Sequence, residues 1–167
     1  MNLPLDLAQH LARFNDLNRL TADAAKRFAA ERESHISDLR SLVAERLRAD
    51  AMPAMEAIAK AIREYGHLAA VLFTPSLNNG PDSWIVAVSV NFACAPVDDA
   101  HRLYDVTFLG EVDPAAERWR LRSYSLSQGL TGLEEEIYEP GSDTIEAFVK
   151  KRVMTVFRAA FPIQGAK

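Results

Sequence analysis

The spacing of apolar residues changes character at residue 67, and that change limits the chain to few architectures. Upstream, apolar side chains recur at steps of three and four. Leu7, Leu11, Phe14 and Leu17 begin the series, Ala24, Ala25 and Phe28 continue it, and Ile36, Leu39, Val43 and Leu47 complete it. Downstream they alternate: Trp84, Val86, Val88, Val90 and Phe92 fall on one side, Ile85, Ala87, Ser89 and Asn91 on the other. Steps of three and four line one side of a helix, and alternation lines one side of a strand. Helices, then consecutive strands, then a closing helix imply an α+β fold built on an antiparallel meander.

Residues 4–51 read as helix, with Ala, Arg, Glu and Lys filling the positions between the apolar ones. Pro4 suits a first turn, where a missing N–H costs nothing. The stripe weakens over 31–34 and shifts register before Ile36. Thr21 with Asp23 also has the form of a helix start. Two arrangements stay open: one long helix, or an antiparallel pair broken near Leu20 and Thr21. One helix of about 45 residues is roughly 67 Å long, more than strands of about nine residues can cover. Unless it doubles back, its stripe must be buried on another chain. Pro53 ends or kinks what precedes it. A shorter helix follows with Met55, Ile58, Ala59 and Ile62 inward, and Gly66 stops it.

Four strands are expected, over 67–74, 84–92, 102–112 and 117–126. The last pair tests its own register. A turn centred between Pro114 and Ala115 sets Val112 against Glu117. Tyr104, Val106 and Phe108 then share a face with Trp119 and Leu121. Asp105, Thr107, Leu109 and Glu111 share the other with Arg118, Arg120, Arg122 and Tyr124. A slip of one residue would bury the arginines. In this register Glu111 faces Arg118 and Asp105 faces Tyr124. The final helix, 143–160, turns Ile145, Phe148, Val149, Val153, Val156 and Phe157 inward and Lys150, Lys151, Arg152 and Arg158 largely outward. The division expected is a helical region, 1–66, and a sheet with its closing helix, 67–167, within one continuous fold.

The 167 residues are 49% hydrophobic and 25% charged, as in folded soluble chains. No apolar run approaches the roughly 18 residues of a membrane helix. The start carries Asp6 and no early positive charge, a poor secretory signal. The one cysteine, Cys94, excludes an internal disulfide and a thiolate-rich zinc site. A cytoplasmic location follows as the expectation, with no membrane partner. Charge is uneven: residues 1–66 hold ten Lys/Arg and ten Asp/Glu, 67–142 hold four against eleven, and 143–167 hold five against two. The acidic middle and basic tail can neutralise each other within one fold.

Motifs for chemistry are sparse. There is no G-x-G-x-x-G, no G-x-x-x-x-G-K-[ST], no G-x-S-x-G and no H-E-x-x-H. His10, His35, His67 and His101 lack ligand spacing. Cys94 has Asp98, Asp99 and His101 nearby, but a lone cysteine is most often a small buried hydrophobe. In the run from Ser123 to Asp143, Glu134, Glu135 and Glu136 are consecutive and cannot all face one ion. Asp143 with Glu146 fits a capping box opening the last helix, so the run reads as a solvated connection. No catalytic residue, metal ligand or cofactor is assigned.

Two features remain. Arg118, Arg120 and Arg122 alternate along one strand roughly 7 Å apart, with Tyr124 continuing the row. They are the candidate partner-binding residues, able to grip an acidic protein surface or phosphates with a stacked base. Leu11, Phe14, Phe28, Ile36, Leu39 and Val43 are the candidate oligomerisation residues. The reading favoured is a non-enzymatic protein-binding module (adaptor, inhibitor, immunity-type or chaperone-like) that self-associates through its N-terminal helices, as a homo-oligomer (dimer), and/or binds another protein. A nucleic-acid-binding regulator using the arginine face is the second reading. A small-molecule-binding protein or enzyme is the third.

Overall fold

The computed structural model describes residues 5–75, 83–99, 102–127, 134–141 and 143–162. The element order is helix α1 (Leu5–Arg46), a π-turn (Leu47–Ala51), helix α2 (Met52–Glu64), strands β1 (Leu68–Pro75), β2 (Ile85–Ala95), β3 (Tyr104–Asp113), β4 (Arg118–Tyr124) and β5 (Glu136–Tyr138), and helix α3 (Ile145–Ala160). The fold is α+β. All strand pairs are antiparallel and neighbours follow chain order, β1 to β5. The sheet therefore has five strands where four were expected. The fifth is three residues within the acidic run, too short for an alternating pattern to mark it. No described helix is long and apolar enough to cross a membrane.

The chain divides into two compact units, residues 1–37 and 38–167. In the first, α1 is unbroken. Thr21 lies inside it and donates its hydroxyl to the Leu17 carbonyl at 2.8 Å, so it caps nothing. Of the two arrangements left open for 4–51, the single helix is the one found.

In the second unit the remainder of α1 meets a helical step. Pro53 cannot donate to the carbonyl four residues back. The chain responds with one wide turn, in which the Met52 amide reaches the Leu47 carbonyl. The core lies between the helices and one sheet face. Val43, Leu47, Met55, Val149 and Val153 meet Val88, Val90, Phe92, Val106, Phe108 and Leu121. Gly110 admits the helix: a β-carbon there would collide with Val43 Cγ1.

Three local expectations are corrected. First, the β3–β4 pair is offset by two residues from the sequence reading. Val112 faces Trp119, Glu111 faces Arg120, Asp113 faces Arg118 and Thr107 faces Tyr124. A two-residue offset keeps every side chain on its face, so the in-out pattern survives while the partners change. The turn supplies the reason. Asp113 accepts hydrogen bonds from the Ala115 and Ala116 amides at 2.9 and 3.2 Å, and Glu117 takes a left-handed φ of 51°. The loop thereby spans 114–117.

Second, β2 does not keep one alternation. Val86 pairs with Glu111 and Val88 with Gly110, so Ala87 is a bulge. Trp84 and Val86 pass to the face opposite Val88, Val90 and Phe92. Third, the cap of α3 is Thr144, whose hydroxyl accepts from the Ala147 amide at 3.1 Å, and not Asp143. Asp143 instead accepts from the Thr144 amide through its carboxylate, and from the Tyr138 hydroxyl through its carbonyl.

Candidate partner-binding surfaces

The outer face of β3 and β4 carries the arginine row. Arg120 Nε donates to Glu111 Oε2 at 2.8 Å, and Arg122 Nη2 lies 2.6 Å from Glu111 Oε1. Arg118 reaches Asp113 at 3.7 Å, and Arg122 also lies 3.9 Å from Glu135. The bulge brings Trp84 over the row: the Arg120 guanidinium sits 3.9 Å from its ring centroid and that of Arg118 5.3 Å. Glu111 is fully buried, while the Arg120 and Arg122 side chains keep only 15% and 17% exposure. Each arginine thus has a carboxylate, and two have an aromatic face as well. Such an arrangement holds the sheet's outer layer together. It leaves little unmatched positive charge for phosphates. Tyr124 is half-buried at the end of the row. Trp84 belongs to this cluster and was missed, because only the bulge moves it there.

Beside the row, Asp105 is nearly buried. It accepts from the Ser127 hydroxyl at 2.6 Å, while the Asn91 amide donates to Thr107 Oγ1 at 2.9 Å. Asp113 has its carboxyl held below the usual range by the Ala115 and Ala116 amides, and then by Arg118.

The acidic run is tied to α3 by ion pairs. Arg152 is buried, donating to the Glu134 carbonyl at 2.7 Å and to Glu136 at 3.3 Å. Lys151 meets Glu136 at 2.8 Å. The outward placement expected for Arg152 is therefore wrong. Burial lowers its pKa, and Glu136 and Glu134 oppose that shift. Its position was visible in the helix pattern: Arg152 follows Ile145 by seven residues and Phe148 by four, on the apolar side.

Cys94 is fully buried, and burial pushes its thiol up to about 12. A thiol so placed is protonated at neutral pH and a poor nucleophile. His101, its suggested partner, lies outside the described residues. Among the described residues no three His, Cys, Asp or Glu side chains gather to hold a metal ion.

Between α2 and α3 runs an apolar groove of about 780 Å³, with Ala57, Ala61, Met154 and Phe157 on its walls and Glu146 and Lys150 on its α3 side. His67 also lines it. Its Nδ1 accepts from the Val97 amide at 3.3 Å, and its ring lies 4.8 Å from that of Phe161.

The oligomerisation candidates separate into two sets. Val43 is fully buried in the core and Leu39 packs against that core. Ile36 is buried too. Leu11, Phe14 and Phe28 are exposed, Phe14 at 56% and Phe28 at 72%. Every residue from Leu7 to His35 is exposed. No family model, curated protein or solved structure matches the chain.

Proposed function

We propose that this chain is a non-enzymatic protein-binding module that self-associates by pairing the first half of α1 with the same segment of a second copy. One observation carries the reading. The apolar stripe that enters the core at Leu39, Val43 and Leu47 continues toward the N-terminus as Leu11, Phe14 and Phe28, which meet solvent. A helix takes most of its stability from packing one face. Residues 7–35 have an apolar face and no buried residue. Residues 7–35 hold five Lys/Arg and four Asp/Glu, so two copies bring little net repulsion to the pairing. The arginine row supports a nucleic-acid role less, since each guanidinium is already matched by a carboxylate.

Sedimentation equilibrium over a concentration series tests the reading. The parent chain is expected to gain mass with concentration, and Leu11→Asp with Phe14→Asp to weaken that gain at least tenfold. These positions are exposed, so the fold outside α1 should be unchanged by near-ultraviolet circular dichroism. An unaltered association in the double variant would remove α1 as the binding element.

A further inference from the structure

The open edge of β1 offers a second surface, independent of α1. We infer that β1 docks against β1 of a second copy, antiparallel, across a two-fold axis at Leu72. β1 is the end strand of the sheet, and its eight residues include no charged side chain. Among the described residues, no backbone group outside β2 bonds to it. Sheet edges in soluble proteins are ordinarily blunted by charge, proline or a bulge. Here the modifications are Pro75 at one end and Arg63, on α2, at the other.

The backbone of β1 shows which groups face outward. Carbonyls along a strand alternate between its two sides. The Thr74 carbonyl is approached by Ser89 of β2 at 3.4 Å and so faces β2, which by alternation turns the Ala69 carbonyl, five residues back, to the other side, where it accepts from Arg63 Nη1 at 3.0 Å. In this phase Ala69, Val71, Phe73 and Pro75 turn their backbone groups to the open side. What fits such a row is another extended backbone.

The two end groups choose the register. With the axis at Leu72, Val71 of each copy faces Phe73 of the other, and the two exchange both hydrogen bonds. Ala69 then faces Pro75. The Pro75 carbonyl accepts the Ala69 N–H, but Pro75 has no N–H to return. The carbonyl this would orphan is that of Ala69, and Arg63 already satisfies it. An axis at Ala70 or Val71 sets a donor of Val71 or Phe73 against the Ala69 carbonyl and requires Arg63 to leave. An axis at Phe73 sets Pro75 against Val71, whose carbonyl then has no donor. Only the Leu72 axis uses proline and arginine together. It also brings the two Leu72 side chains, each 62% exposed, against each other on one sheet face. The pairing is isologous and closed at this interface.

Leu72 of the two copies would form a non-hydrogen-bonded pair with Cα atoms about 4.5 Å apart, within reach of a disulfide. The test is Leu72→Cys in the full chain under mild oxidation, with Thr74→Cys as the register control. Leu72→Cys is expected to give a disulfide-linked dimer, and Thr74→Cys, displaced from the axis, at least tenfold less. Cys94 is buried and takes no part. Equal cross-linking at both positions, or none at Leu72, overturns the inference.

A second measurement separates this surface from α1, since the two share no residue. The chain carrying Leu11→Asp and Phe14→Asp should still reach dimer mass, though only at concentrations at least tenfold above those the parent needs, and adding Leu72→Lys should return it to monomer. A monomer before Leu72→Lys is added overturns the β1 pairing and leaves the α1 reading intact. Parent-like association abolished by Leu72→Lys alone does the reverse.

Discussion

Gly110 lies directly beneath Val43. A β-carbon on Gly110 would overlap Val43 Cγ1 and would stand 2.9 Å from Val88 Cγ1 and 3.2 Å from Leu47 Cδ1. All three neighbours are fully buried, so none can swing into solvent. The end of α1 reaches the sheet because β3 offers no side chain at this point.

Gly110→Ala should therefore destabilise the fold by about 1–3 kcal/mol through overpacking. Denaturant unfolding measures it. The backbone at Gly110 is ordinary strand, so the cost is steric. Val43→Ala in the same chain should recover part of the loss, with a coupling of about 0.5–3 kcal/mol in a double-mutant cycle. Additive effects would mean that the two residues do not meet.

Glu111 is the common anion of two arginines. Glu111→Gln preserves its shape, removes the carboxylate that Arg120 meets, and leaves Arg122 only the more distant Glu135 in a mostly buried layer. The expected loss is about 3 kcal/mol in urea unfolding. Arg118→Ala, by contrast, removes a pair whose arginine side chain is 59% exposed. That change should cost less than about 1 kcal/mol and should shrink further in high salt. Equal losses from the two substitutions would contradict the distinction between them.

Cys94 should be inert in the native chain. At pH 8 a thiol reagent should modify it at least a hundredfold more slowly than in denaturant. The pH dependence has a definite sign. The folded chain holds the thiol proton up to about 12, against an ordinary value of 9.0. The folded state thus binds more protons than the unfolded state in that interval, and stability falls as pH rises through it. Below 9.0 the contribution is complete and flat. Cys94→Ala should lose the part of the alkaline slope that the thiol supplies. An unchanged slope would assign it to other groups.

Much of this fold was legible in the residues because helix and strand periods are distinct. The α1 stripe, the faces of β3 and β4 and the apolar side of α3 all follow from spacing. The β3–β4 partners did not, because offsets of two residues give the same faces and only the Asp113 turn chooses between them. The Ala87 bulge left no sign in an alternating run, and with it went the placement of Trp84 over Arg120. β5 is only three residues. Arg152 was readable from its position on the helix, but its partners, the Glu134 carbonyl and the Glu136 carboxylate, lie just before and at the start of β5. Of the surface candidates, periodicity found the stripe but could not say that Val43 and Leu39 belong to the core and Leu11, Phe14 and Phe28 to the outside.

Hydrogen exchange at the amides of residues 7–28, followed over a range of protein concentrations, bears most directly on the pairing of α1. An isolated helix without packed neighbours opens readily, so its amides are weakly protected. If α1 pairs with α1, protection in this segment should rise at least tenfold from low to high micromolar chain, while β2 and β3 stay constant. Exchange that is equally fast at every concentration would contradict the pairing.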